Sequence, residues 1–265
     1  MSATQQIDTR RGVGMKWAVR DTTAMVWRNL TVIRRVPQLL VFALVQPMIF
    51  VFMFRYVFGG AIKITGMSYV NYLMPGIFVQ TVTFGAINTA IGLADDKGSG
   101  LLERLRSLPM SRSAVLGGRV MADTTRNVLI VLLMVAVGML VGFRPGNSWP
   151  MVAVGILLMV SFGFALAWLF ALIGLSVTNG EAAQAAAFPM LAPLTFASNL
   201  FVDPKTMPGW MQGWARHQPV SVTADAVRAA MLGGPVLHKA LISLAWAVGI
   251  ALVLGPIAVR RYRRS

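Results

Sequence analysis

Apolar residues fall in long blocks along this chain rather than in strict alternation. A helix needs about 20 predominantly apolar residues to cross a bilayer core. Six blocks reach that length, at residues 39–57, 70–94, 114–141, 151–177, 182–202 and 240–259. The third opens with Arg119, Asp123 and Arg126, so its first turns are expected at the membrane interface. The pattern predicts an all-α, polytopic membrane protein with six transmembrane helices. Pro47, Pro75, Pro189 and Pro193 lie inside these blocks, where proline removes a backbone donor and bends a helix.

Ahead of the first block the period changes. Val19, Thr23, Val26, Leu30 and Ile33 recur at three- and four-residue steps. Arg20, Asp21, Arg28, Asn29 and Arg35 mostly fall elsewhere. This predicts an amphipathic interfacial helix over 17–36, with Trp17, Trp27, Arg28 and Arg34 at the membrane surface. Pro37 separates it from the first span. The helix serves as an anchor, as a contact for a cytosolic partner, or as both. The expected organisation is a flexible cytoplasmic N-terminus at 1–16, the interfacial helix at 17–36, a transmembrane domain at 37–260 and a cytoplasmic tail at 261–265.

Composition supports the membrane reading. The chain is 56% hydrophobic and 12% charged, about half the charge of a soluble domain. Its mean hydropathy is +0.67. A net charge of +15 raises the question of nucleic acid, and the distribution answers it. With six spans, the N-terminal segment, the link after span two and the C-terminal tail share one side. Seventeen Lys and Arg lie there, against seven on the other side. That bias places both termini in the cytoplasm of a multi-pass cell membrane protein, and no nucleic-acid partner is needed to explain it. The excess of Arg over Lys is a weak pointer to a GC-rich, bacterial genome. No cleavable signal peptide is expected, because basic residues up to Arg35 precede the first apolar run.

The chemistry is mostly defined by absence. There is no cysteine, so no thiolate metal site or disulfide exists. His217 and His238 are isolated, and no metal site is expected. No Gly-Lys-Ser or Gly-Lys-Thr forms a phosphate-binding loop, and no Gly-x-Ser-x-Gly elbow is present. The chain is not expected to be an enzyme by itself, and no cofactor is expected in it.

Two hydrophilic stretches stand out. In the link after span two, Leu101, Leu105 and Leu108 form an apolar stripe. Glu103, Arg104 and Arg106 occupy other positions, and Pro109 stops the turn before Ser111. A short charged knob helix and an ordinary interfacial loop fit these residues equally well. The segment 203–237 holds Trp210, Trp214 and four prolines, with 224–231 reading as a short helix. Helices that re-enter the outer leaflet are expected there, since Trp favours the headgroup zone. Within the spans, Gln80, Phe84 and Asn88 share four-residue spacing, and Asn199 ends the fifth. They are a candidate substrate path, or they bond neighbouring helices. Asp123 with Arg119 and Arg126 reads as an ion cluster of structural character.

The stretch from Glu103-Arg104-Leu105-Arg106-Ser107-Leu108-Pro109-Met110-Ser111-Arg112 through Gly118-Arg119 and Asp123 resembles the ABC-2 type permeases, in their daunorubicin/doxorubicin-resistance branch. So do Ser198-Asn199-Leu200-Phe201-Val202, Met207-Pro208-Gly209-Trp210 and Gln218-Pro219-Val220-Ser221 ending at Arg228. The resemblance covers most of the chain beyond Trp17. Val222 departs from it, standing where the family usually has a polar or aromatic residue.

The resemblance implies a half-transporter: the permease subunit of an ABC exporter moving an amphipathic drug or lipid-like molecule. It implies a separate cytosolic ATPase in two copies, which would hold ATP and Mg, and a second permease, identical or related. Leu101, Glu103, Arg104, Arg106 and Pro109 would then form the coupling helix that meets the ATPase. The competing reading is a non-transporting membrane scaffold that recruits a cytosolic protein.

Overall fold

The computed structural model describes residue 31 and residues 38–60, 66–101 and 112–264. No strand occurs among them. The helices, in order, are α1 (Gln38–Phe52), α2 (Tyr69–Gly85), α3 (Ile87–Gly98), α4 (Arg112–Val141), α5 (Trp149–Ser176), α6 (Gly180–Phe196), α7 (Gly209–His217), α8 (Pro219–Leu232) and α9 (Val236–Arg264). A π turn, Met53–Val57, extends α1, and a 3₁₀ turn, Pro204–Thr206, precedes α7.

The ends of these helices follow local chemistry. The side chain of Ser68 accepts from the Asn71 amide to start α2, and that of Asn179 accepts from Ala182 to start α6. At α8, Gln218 accepts from the Val220 amide, with Pro219 at the first helical position. Helix α4 stops at Gly142, where φ is 103° and the Phe143 amide reaches back to Gly138. Only glycine takes that backbone conformation without strain.

Helix α5 is the hub. It packs against α2, α3, α4, α6, α8 and α9. Close approach rests on missing side chains: an added methyl on Gly174 of α5 would collide with the Ala90 carbonyl of α3. The main core gathers Leu73, Ile77, Phe78, Met134, Phe162 and Phe170 from α2, α4 and α5. A second apolar cluster joins Leu93, Leu116, Leu175, Ala258 and Tyr262 at one end of the bundle. The end of α3, the start of α4, the end of α5 and the end of α9 therefore lie together, as alternating spans require.

Among the described residues, four helical stretches are long and apolar enough to cross a membrane: Tyr69–Gly98, Leu116–Val141, Trp149–Ser176 and Val236–Tyr262. The first and fifth expected blocks are shorter. Helix α1 passes into its π turn, where Phe58 donates to Met53 five residues back. The fifth block leaves helical geometry after Phe196, beyond Pro189 and Pro193. Its 17 residues span about 25 Å at 1.5 Å per residue. The apolar run Leu200-Phe201-Val202 then continues outside the helix, packed into the core. The second expected block is also interrupted, at Ala86.

Candidate functional site

A cavity of about 280 Å³ opens among α1, α2, α3, α4 and α6. Gln46, Gln80, Phe84, Asn88, Gln184 and Phe188 supply its main polar and aromatic groups. None of the residues lining it carries a charge. Helix spacing explains the set: positions 80, 84 and 88 stack on one face. Gln80 is 2% exposed, and among the described residues its amide oxygen has no hydrogen-bond partner. A buried acceptor of that kind is normally paired, and Gln80 lies in the cavity wall. Asn88 instead uses its amide nitrogen on the Gly85 carbonyl at 3.1 Å.

Three of the four residues read from the sequence as a candidate path thus share this cavity. Asn199 does not; it sits at the opposite end from the Leu93–Tyr262 cluster. There its carbonyl accepts from Tyr72 Oη at 2.8 Å and from Arg228 Nη2 at 2.8 Å. Arg228, 7% exposed, is the centre of that end. It also donates to the carbonyls of Tyr72 and Leu200 and to Asp225, and its guanidinium lies 3.9 Å from the Tyr72 ring centroid. The carbonyls set free where α6 unwinds are thereby satisfied from α8.

At the other end, α3 is bonded to its neighbours. Lys97 Nζ donates to the Leu175 and Val177 carbonyls where α5 ends, both at 3.2 Å. Asp95 accepts from the first amide of α6, Gly180, at 2.8 Å. Arg119 pairs with Asp96 at 3.0 Å and with Asp123 at 3.4 Å, and Arg126 lies 3.6 Å from Asp123. The ion cluster read from α4 alone therefore includes a partner from α3.

Leu101, the first coupling position, is half-buried against the apolar cluster at this end. The other coupling residues, Glu103, Arg104, Arg106 and Pro109, lie outside the described residues. So do Trp17, Trp27, Arg28 and Arg34 of the expected interfacial helix. Sequence reasoning missed Gln46 and Gln184; each is an amide within an otherwise apolar stretch of helix, and that was the available signal. Among the described residues no group of His, Cys, Asp and Glu is arranged to hold a metal.

Residues 20–232 match the model of the ABC-2 type transporter family. The chain is 34% identical over 248 residues to a daunorubicin resistance ABC transporter permease protein of Streptomyces coeruleorubidus, covering 94% of this chain and 88% of the relative. It is 30% identical over 231 residues to a Mycobacterium tuberculosis protein named a probable doxorubicin resistance ABC transporter permease, covering 84% and 81% of the two chains. An apolar all-helical bundle with an uncharged cavity and matches of this extent agree, and the chain belongs to the ABC-2 type transporter family, as the permease subunit of an ABC exporter.

Proposed function

We propose that the cavity beside Gln80, Phe84 and Asn88 is the path of an amphipathic drug or lipid-like cargo, leaving the cytoplasm or inner leaflet. The carrying observation is the lining itself: four side-chain amides against two phenyl rings, with no charge. Such a lining suits a molecule with a flat or oily body and a few hydrogen-bonding groups. The drug-resistance names of the relatives support the same class of cargo.

The chain crosses a bacterial cell membrane six times. Helix α1 with its π turn forms the first span, α2 with α3 the second, and α6 a short fifth. Both termini are cytoplasmic, following the arginine bias. Helices α7 and α8 form the outer re-entrant segment, whose Trp210 is 80% exposed and fits the headgroup zone. The motor is a separate cytosolic ATPase in two copies, which binds ATP and Mg. It meets the segment from Leu101 through Glu103, Arg104 and Arg106 to Pro109, and the interfacial helix carrying Trp17, Trp27, Arg28 and Arg34. A second permease copy, identical or related, completes the path. The exposed Phe42, Val45 and Ile49 of α1 and Phe188 of α6 are an apolar face that such a copy covers.

The test is reconstitution of the permease and its ATPase in lipid vesicles, with daunorubicin and a fluorescent phospholipid as probes. ATP-dependent flux is expected. Gln80→Ala and Phe84→Ala should each lower it about tenfold, the loss expected from about 1.4 kcal/mol of binding. Glu103→Lys should abolish ATPase stimulation. A scaffold that merely recruits a cytosolic protein would show no flux of either probe.

A further inference from the structure

The second span is jointed at Ala86, and hydrogen bonding shows how. The Thr89 amide donates to the Ala86 carbonyl, three residues back, at 3.1 Å. A regular helix would send that amide to Gly85. The released Gly85 carbonyl accepts instead from Asn88 Nδ2 at 3.1 Å and from Arg126 Nη2, on α4, at 3.3 Å. Gly85 and its neighbours Phe84 and Asn88 line the cavity.

Below the joint, α3 is held on three sides. Thr89 Oγ1 donates to Asp123 at 2.8 Å, and Asp96 pairs with Arg119. Lys97 holds the end of α5 and Asp95 the start of α6. The Arg119 guanidinium lies across Gly92, where an added methyl would collide with it. Helix α3 and the adjoining ends of α4, α5 and α6 are therefore tied into one block, and the backbone ladder is broken above it at Ala86. Leu101, the first coupling position, follows α3 after the Ser99-Gly100 turn.

We infer that Arg126 is a positioning residue for transport: held by Asp123 in the block, it grips the Gly85 carbonyl and carries the block's displacement into the cavity wall. This rests on the reading of 101–109 as the contact with the ATPase. Arg126 need not touch cargo. It sets where Phe84 and Asn88 stand when the block shifts. Buried charges inside a span are expensive and cluster at working parts of membrane proteins.

The experiment separates positioning from mere stability. Replacing one partner of a buried pair leaves a charge uncompensated, whereas replacing both restores balance. The permease–ATPase complex carrying Arg126→Met together with Asp123→Asn is therefore compared with wild type in vesicles, using daunorubicin and a fluorescent phospholipid. The expected result is a wild-type melting temperature and ATP hydrolysis within about twofold, with maximal flux down about tenfold. The probe concentration at half-maximal flux should stay within about twofold, because the lining side chains are intact. Arg126→Lys, which keeps a donor and the charge, should retain flux within about threefold. Wild-type flux in the double variant, or a loss in Arg126→Lys as deep as in the double variant, overturns the proposal. No ATP-dependent flux of either probe in the wild-type complex overturns instead the exporter reading beneath it.

Discussion

Replacing Arg228 by methionine removes every polar contact its guanidinium makes at this end of the bundle while keeping most of the side-chain volume. The guanidinium donates to the carbonyls of Tyr72 at 3.0 Å, Asn199 at 2.8 Å and Leu200 at 2.9 Å, and to Asp225 at 3.1 Å. These losses are unequal. The Asn199 carbonyl keeps the Tyr72 hydroxyl, so it remains paired. The Leu200 carbonyl loses a charged donor inside the core, at about 1–3 kcal/mol. The contact with the Tyr72 ring contributes about 1–2 kcal/mol when desolvated. Asp225, with its side chain 38% exposed, is left in partial contact with water and adds little. The expected loss is about 3–4 kcal/mol, or a drop of roughly 10 °C in melting temperature at this chain size. Tryptophan fluorescence during heating of the purified protein in lipid nanodiscs measures it. Arg228→Lys, with one compact donor in place of a fork, should lose about half as much. A methionine variant that melts within about 2 °C of wild type would show that this end of the bundle does not depend on this hub.

Gly174→Ala should separate α5 from α3, destabilising the bundle by about 1–3 kcal/mol as overpacking does; the same melting assay reads it. Lys97→Met uncaps the Leu175 and Val177 carbonyls and should lower stability by about 1–2 kcal/mol, with faster amide exchange confined to the end of α5. Because the chain has no cysteine, Ser99→Cys and Lys205→Cys are each the only thiol in their variants. A membrane-impermeant maleimide added to intact cells should label position 205 and not position 99. Labelling of both, or of position 99 alone, would refute the proposed topology.

The bundle was readable in the sequence where one side chain type persists over a whole helix. Apolar runs predicted α2 with α3, α4, α5 and α9. They did not distinguish a span from packed non-helical chain: Leu200 and Phe201 read as the end of a membrane helix, yet they are buried beyond it because α6 unwinds after its prolines. The charged spacing of Arg119, Asp123 and Arg126 was legible because all three lie on one helix. Asp96 was not, being a partner that only the packing of α3 on α4 supplies. Pro75 was a better candidate for a break than Ala86, but α2 continues through Pro75. The joint comes from a carbonyl that α4 can satisfy, a long-range fact with no local signature. For the cavity, four-residue spacing brought out positions 80, 84 and 88, whereas Gln46 and Gln184 belong to it through the meeting of α1 and α6.

The charge balance between α3 and α4 also bears on how the chain enters a membrane. Arg119, Asp123 and Arg126 each oppose insertion by roughly 2.5–3.5 kcal/mol when alone at the centre of a helix, and less toward its ends. Their partners Thr89 and Asp96 precede them in the chain. Synthesis therefore delivers the neutralising surface of α3 before the charged turns of α4 that need it. An electrostatic order of biogenesis is the expected consequence, with the stretch Tyr69–Gly98 receiving α4.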